Sequence, residues 1–303
     1  MNLLGPACRK CLSQSAPRTA TARAFSTTFD GDMARLYLNF FDQAESAWKL
    51  TEEIVLGATD GVTPKNIVDV ASGPGEPGLT LAKSFPDAKV LVTDGAEAMI
   101  QLAEMRIKDQ GLEERVTTAC MDLNDFSPVT DKPVDLVTAQ FALMFTEDLP
   151  GSLSEIHGVL RDGGLLVGTV WEEFYILPLL RDTMTVVLGE APPSPPINPL
   201  SLQDKDVVDA ALDEAGFKTF GRHNETAQID INLGAFDLED TIKTCLLPVT
   251  PSLVQLQEGG KHGDDVFGTA MNAMREAIQS HGMVVDGEVV INTSTYRYFV
   301  ARK

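Results

Sequence analysis

Three carboxylates and two glycines in this sequence are spaced for the capture of a nucleotide-like ligand. Residues 68–78 read VDVASGPGEPG, so Asp69 stands four residues before Gly73; Asp94 follows Gly75 by nineteen residues, and Asp122 closes a later apolar run. An apolar strand that runs straight into glycines lets the backbone approach a ligand closely, and the helix after it offers unpaired amide groups to negative charge. Taken literally, Gly73, Gly75 and Gly78 spell G-x-G-x-x-G, which with Asp94 also fits a dinucleotide fingerprint. Asp69 argues for a different ligand. A carboxylate at the strand end suits the cationic amino group of a methionine moiety and sits badly beside a pyrophosphate. Asp122, next to Leu123, is suited to accept an adenine amine while the leucine packs on the ring. A short-chain dehydrogenase would place Lys four residues after a Tyr. The residues four after Tyr37, Tyr175, Tyr296 and Tyr298 are instead Phe41, Leu179, Val300 and Arg302.

An alternation of short β-branched runs with helical patterns must hold these residues, and that alternation implies a parallel sheet covered by helices. Strands are expected at residues 66–70, 89–93, 116–121, 134–139, 165–171, about 225–231 and 294–300. Between them, helices are expected near 79–85, through Met99, Leu102, Ala103 and Ile107 to Gly111, and at 152–160 and 204–215. Arg161-Asp162-Gly163-Gly164 reads as a turn into the fifth strand, and residues 191–199 are Pro-rich. About sixty residues separate the last two strands, too many for a simple connection. They read as a helical insertion at about 232–290, with 270–280 its clearest helix, placed as a lid.

Composition narrows the classes. The 303 residues are 44% hydrophobic and 22% charged, ordinary for a globular protein, and no stretch approaches the roughly 20 apolar residues of a membrane span. A formal net charge of −20 repels phosphate backbones and disfavours nucleic acid as a partner. Residues 1–29 break the acidic pattern: they hold Arg9, Lys10, Arg18 and Arg23, many Ser, Thr and Ala, and no acid. Such a leader has the composition of an organelle transit peptide, mitochondrial in the character of its RAFSTT end, although a plastid address fits the composition too. Cys8 and Cys11 lie in this leader without a second pair, and Cys120 and Cys245 are isolated, so neither a metal site nor a disulfide is expected.

Together, the glycine loop, the acids at the strand ends and the late pair of strands resemble the class I S-adenosylmethionine-dependent methyltransferases. The form DVASGPGEPG resembles most the small-molecule branch related to ubiquinone and menaquinone biosynthesis. Ala71 departs from the glycine many members carry. The resemblance covers about residues 35–235 and the final strand. It implies an α/β fold: a seven-stranded, mostly parallel Rossmann-like sheet with helices on both faces and an antiparallel last strand, spanning residues 30–303. It also implies cofactor contacts from Asp69, Ala71, Gly73, Gly75, Asp94, Gly95, Met99, Asp122, Leu123 and Gln140, the last with Phe141 at the methionine end.

The acceptor is expected to be a small molecule, with the wall of its site drawn from Tyr37, Phe41 and Trp48 before the first strand and from Trp171, Phe174 and Tyr175 after the fifth. Quinone precursors, amines, carboxylates and a sulfur metabolite that would be S-methylated all remain open. Methyl transfer needs no nucleophilic side chain, and none of His157, His223, His262 and His281 is marked as a base. Two further alternatives stand beside this reading: an NAD(P)-dependent oxidoreductase, and a non-catalytic assembly factor that keeps the methyltransferase fold.

Overall fold

The computed structural model describes residue 38 and residues 41–59, 61–194, 198–229, 237–260, 262–285, 288–289 and 293–303. Tyr37, the leader and short parts of the insertion lie outside the described residues.

Helix α1 (Glu45–Ala58) precedes the alternation expected from the sequence: β1 (Asn66–Asp69), α2 (Gly78–Ser84), β2 (Lys89–Asp94), α3 (Glu97–Asp109), β3 (Val116–Cys120), β4 (Val134–Gln140), α4 (Leu149–Val159) and β5 (Leu160–Glu173). There follow α5 (Ile176–Leu188), α6 (Lys205–Glu214), the short β6 (Lys218–Thr219) and β7 (Thr226–Ile229). The insertion holds α7 (Leu238–Leu246), α8 (Thr250–Gly259), α9 (Val266–Ser280) and a hairpin of β8 (Val284–Val285) and β9 (Glu288–Val289), before β10 (Ser294–Arg302) closes the chain. Helices α4, α6, α7 and α9 each begin on an aspartate, Asp148, Asp204, Asp237 or Asp265, whose carboxylate accepts an amide of the first turn.

Strands β1 to β5 are parallel in the order β3-β2-β1-β4-β5, and β10 runs antiparallel against β5. The order reverses between β1 and β4. That reversal opens a crevice at the carboxyl ends of the two strands, the place where open α/β sheets take their ligands. Helix α1 packs on α2 and β5, while α9 lies along α5 and is joined by α7 and α8, so the insertion is a helical layer attached to α5.

Several elements differ from the expectation, among them helix α5 and the β8–β9 hairpin, which the sequence pattern does not announce. An eighth strand, β6, pairs Lys218 and Thr219 with Arg302 and Ala301; two residues are too few to show a period. Arg161–Gly164 is no free turn either, because β5 already begins at Leu160. Gly163, at φ +72°, donates to Lys303 O at 3.0 Å, and Lys303 N donates to Gly164 O at 3.0 Å. The chain end draws this segment into the sheet.

At the centre of β5, a Cβ on Gly168 would lie 2.2 Å from Phe299 Cζ and 2.5 Å from Ala139 O, and the second of these is backbone that cannot step aside. Gly168→Ala is expected to cost about 1–3 kcal/mol. It should lower the urea midpoint without changing the slope of the transition; an unchanged midpoint would contradict this account of the sheet.

Candidate cofactor and acceptor site

The glycine loop leaves β1 through three left-handed residues, Ala71 at φ +50°, Gly73 at +55° and Gly75 at +111°. Ala71 thus holds a conformation that glycine adopts more readily. At Gly75 the φ of +111° strains any L side chain, and a Cβ would also crowd Leu79 Cδ1 at 3.0 Å. Asp94, at the end of β2, pins the loop from the side: its Oδ2 accepts from Gly73 N at 2.9 Å and its Oδ1 from Ala96 N at 2.8 Å. The Gly95 amide also bonds this carboxylate, and what lone-pair capacity remains on it is available to a ligand. Burial raises the Asp94 carboxyl to about 6 against the pull of those amides.

Asp69 takes a different place from the one expected of it. It is 0% exposed, and its oxygens turn inward, Oδ2 to Gly78 N at 2.7 Å and Oδ1 to the Thr138 hydroxyl at 2.6 Å. It anchors the start of α2 to β4 beneath the loop, rather than meeting a ligand's amine at the surface of the loop. Burial lifts its carboxyl to about 7. Gly78, third of the fingerprint glycines, is accordingly a packing residue: a Cβ there would stand 2.9 Å from that same Oδ2.

Along the carboxyl ends of β2 and β3 the floor is open. A Cβ on Gly95 would find its nearest contact at Met121 O, 3.8 Å away. Met99 is buried with Ala96 and Leu102 in a small apolar nest against which Leu38 packs. Asp122 is exposed, with one oxygen accepting from Asn124 N at 2.8 Å, and Leu123 is half-buried beside it. Loop amides, a half-buried carboxylate with remaining lone-pair capacity, an open glycine floor and an apolar wall fit an adenosine-bearing ligand.

Gln140 is also placed otherwise than expected. Its carbonyl accepts from the Thr51 hydroxyl and its Nε2 donates to Ala47 O at 3.4 Å; Tyr298 Oη lies 3.1 Å from that hydroxyl and donates to Ala47 O at 3.3 Å. Gln140 therefore binds α1 to the sheet, and its side chain faces no open site. The next residue, Phe141, holds φ +50°, rare for a non-glycine residue, with its amide on Thr169 Oγ1 at 3.0 Å.

Phe141 forms the centre of a ladder of rings. Its ring stacks on Trp171 at 3.9 Å, and Trp171 stacks on Phe174 at 4.6 Å; Trp48 reaches Phe141 at 6.3 Å, and Phe41 covers Trp48 at 4.8 Å. Trp48 Nε1 is buried with no hydrogen-bond partner. The expected acceptor wall residues Phe41, Trp48 and Trp171 thus come together, linked through Phe141.

One cluster escaped the sequence reading. Buried Glu76 of the glycine loop accepts from Thr80 N at 3.0 Å and the Thr80 hydroxyl at 2.8 Å, and pairs with Arg106 at 3.2 Å; Arg106 also pairs with Asp42 at 3.3 Å and lies 5.8 Å from the Phe41 ring centre. Glu76 as the lone charge in a glycine loop was the available signal. The histidines engage elsewhere: His157 packs on Phe217, His223 bonds Asp209 and Val300 N, and His281 bonds Asp182. Among the described residues no group of three or more His, Cys, Asp or Glu is arranged for a metal, and no helix is long and apolar enough to cross a membrane.

Residues 67–164, from β1 into β5, match the family model described as a methyltransferase domain. The match is confined to this segment, over which the chain is similar to methyltransferase domains. S-adenosylmethionine is the cofactor of that class, and the residues just described fit it. The demethylmenaquinone methyltransferase of Bacteroides fragilis is 33% identical over 104 residues, covering 34% of this chain and 42% of its own. The chain thus spans under half the length of that relative. Human mitochondrial arginine-hydroxylase NDUFAF5 is 26% identical over 246 residues, 78% of this chain and 68% of its own. The solved structure of the YcgJ protein from Bacillus subtilis shares the fold, with a TM-score of 0.50 at 14% identity, covering 84% of this chain and 98% of that one.

A hydroxyl donates more strongly to a carboxylate than to a neutral carboxylic acid, which keeps less acceptor capacity. Affinity for S-adenosylhomocysteine should therefore fall as pH drops through about 6 and level off above it. Asp94→Asn should weaken binding roughly tenfold to a hundredfold and flatten the profile. Calorimetry across this range checks both, and a flat wild-type profile would contradict the role of Asp94.

Proposed function

We propose that this chain transfers the methyl group of S-adenosylmethionine to an uncharged small-molecule acceptor held on the ring ladder. The observation that carries this reading is the juxtaposition of two surfaces at one sheet edge: the nucleoside cradle at the ends of β1, β2 and β3, and the ladder at the ends of β4 and β5. In this reading Asp94 accepts the ribose hydroxyls, and the Gly73–Gly75 backbone gives close approach. Gly95, Met99 and Leu123 border the adenine, with Asp122 accepting its amine. Asp69, Ala71 and Gln140 act by shaping the loop and the end of β4.

The cofactor supplies an electrophilic methyl on a sulfonium. The protein's task is then to align the acceptor and keep water out, and alignment alone is worth roughly 7–11 kcal/mol in such a step. Aromatic faces near a sulfonium add about 0.5–2 kcal/mol each. His157, His223 and His281 make their contacts away from the ladder, so the proton that an acceptor loses on gaining the methyl group passes to solvent rather than to one of these side chains. The name of the Bacteroides relative favours a reduced quinone ring as acceptor, and flat stacked rings suit one; amines, carboxylates and sulfur metabolites are the competing classes.

A second reading comes from the human relative, whose name denotes hydroxylation and whose similarity extends over most of this chain. One experiment separates the two. The purified protein is incubated with a metabolite extract and isotope-labelled S-adenosylmethionine, and products are read by mass spectrometry. Methylation predicts a labelled CH2 gain that drops at least tenfold in Trp171→Ala while S-adenosylhomocysteine binding persists. Gain of oxygen, or no labelled product, would overturn methyl transfer.

The acid-free leader and the mitochondrial name of the human relative support import into mitochondria. Residues 1–29 fused to a fluorescent reporter should carry it there; a diffuse or plastid signal would refute this address.

A further inference from the structure

At the far end of the ladder a hydroxyl has no hydrogen-bond partner among the described residues. Tyr175 is 9% exposed, and its Oη is buried without a hydrogen bond. Its amide donates to Ser294 Oγ at 3.2 Å, which fixes the main chain against β10, and its ring meets Phe174 edge-on at 6.1 Å. An unpaired buried hydroxyl costs about 1–3 kcal/mol, a cost that phenylalanine at the same place would avoid. Buried tyrosines ordinarily find a partner for this group.

The titratable group acting on the hydroxyl is Cys245 of α7. Burial pushes that thiol up to about 12 and holds the Tyr175 phenol well above its ordinary range. Both stay protonated at neutral pH, so this end of the ladder offers a donor and no charge. Tyr175 follows the end of β5, next to the Trp171–Phe174 stack, whereas Cys245 belongs to the insertion. The hydroxyl is buried, and the helix that Tyr175 begins, α5, packs against α7 of the insertion.

We propose that the Tyr175 hydroxyl donates a hydrogen bond to an oxygen of the acceptor, selecting an uncharged ring that bears a carbonyl or phenolic oxygen over charged or oxygen-free molecules. This rests on the ladder being the acceptor site of the methyl transfer described above. Tyr175 acts by positioning and specificity, and it removes no proton in the reaction.

The chain has two tryptophans, Trp48 and Trp171, and both belong to the ladder, so intrinsic fluorescence reports on this site. The full-length protein, saturated with S-adenosylhomocysteine, is titrated with 1,4-naphthoquinone and separately with naphthalene. The wild type should bind the quinone at least about tenfold more tightly than the hydrocarbon. Tyr175→Phe should lose about tenfold in quinone affinity, with S-adenosylhomocysteine affinity unchanged and thermal stability equal or higher, because an unpaired hydroxyl is removed. Equal wild-type affinity for the two probes, or equal quinone affinity in wild type and variant, overturns the proposal. A variant that melts markedly lower also overturns it, by giving the hydroxyl a structural role. Failure to bind S-adenosylhomocysteine at all would instead sink the methyltransferase reading.

Discussion

Two carboxylates, one fully buried and one half-buried, hold a backbone loop in turns it would not keep alone. Asp69 takes the amide of Gly78 from below, and Asp94 takes the amide of Gly73 from the side. Between these bonds the chain passes through left-handed conformations at Ala71, Gly73 and Gly75. Were the loop released, the start of α2 and the remaining lone-pair capacity of Asp94 would lose their fixed relation. The cost is electrostatic: burial raises both carboxyls, to about 7 and about 6, so each binds its proton more readily folded than unfolded. Their contribution to stability therefore declines as pH rises from the ordinary carboxylate range toward neutrality. A site that holds underused negative charge is poised for a ligand that brings hydrogen-bond donors.

The second half of the site obeys a different constraint. Around Phe141 the groups are rings, and their geometry is stacking rather than charge. The positive φ of Phe141 is maintained because its amide finds Thr169 and its ring finds Trp171. Directly behind it, the Gln140, Thr51 and Tyr298 network ties α1 to β4 and β10, so the residues that flank the ladder come from three distant parts of the chain. Charge at one end of the crevice and apolar rings at the other match a cofactor rich in donors beside an uncharged acceptor.

Part of this was legible in the chain itself. Apolar runs located β1 to β4 to within a residue or two and the core of β5, because central strands buried on both faces read as such runs. The glycines at 73 and 75 and the acids at 94 and 122 were visible because glycines after an apolar run, and an acid closing one, mark where a strand ends. What escaped was pairing. Nothing local shows that Arg161–Gly164 will be drawn into the sheet by Lys303, or that Glu76 will meet Arg106 and Asp42, since these partners lie tens to hundreds of residues apart.

The sequence by itself determined the glycines and acids at the strand ends, the parallel α/β alternation and an acidic chain. Those follow from composition and short-range period, properties carried by neighbours in the chain. Only the tertiary structure decided which way each carboxylate and ring faces: Asp69 inward to Thr138, Gln140 beneath α1, Trp171 between two phenylalanines, Tyr175 with its hydroxyl unpaired. Side-chain direction at a strand end depends on what packs across from it, and that partner is supplied by the fold.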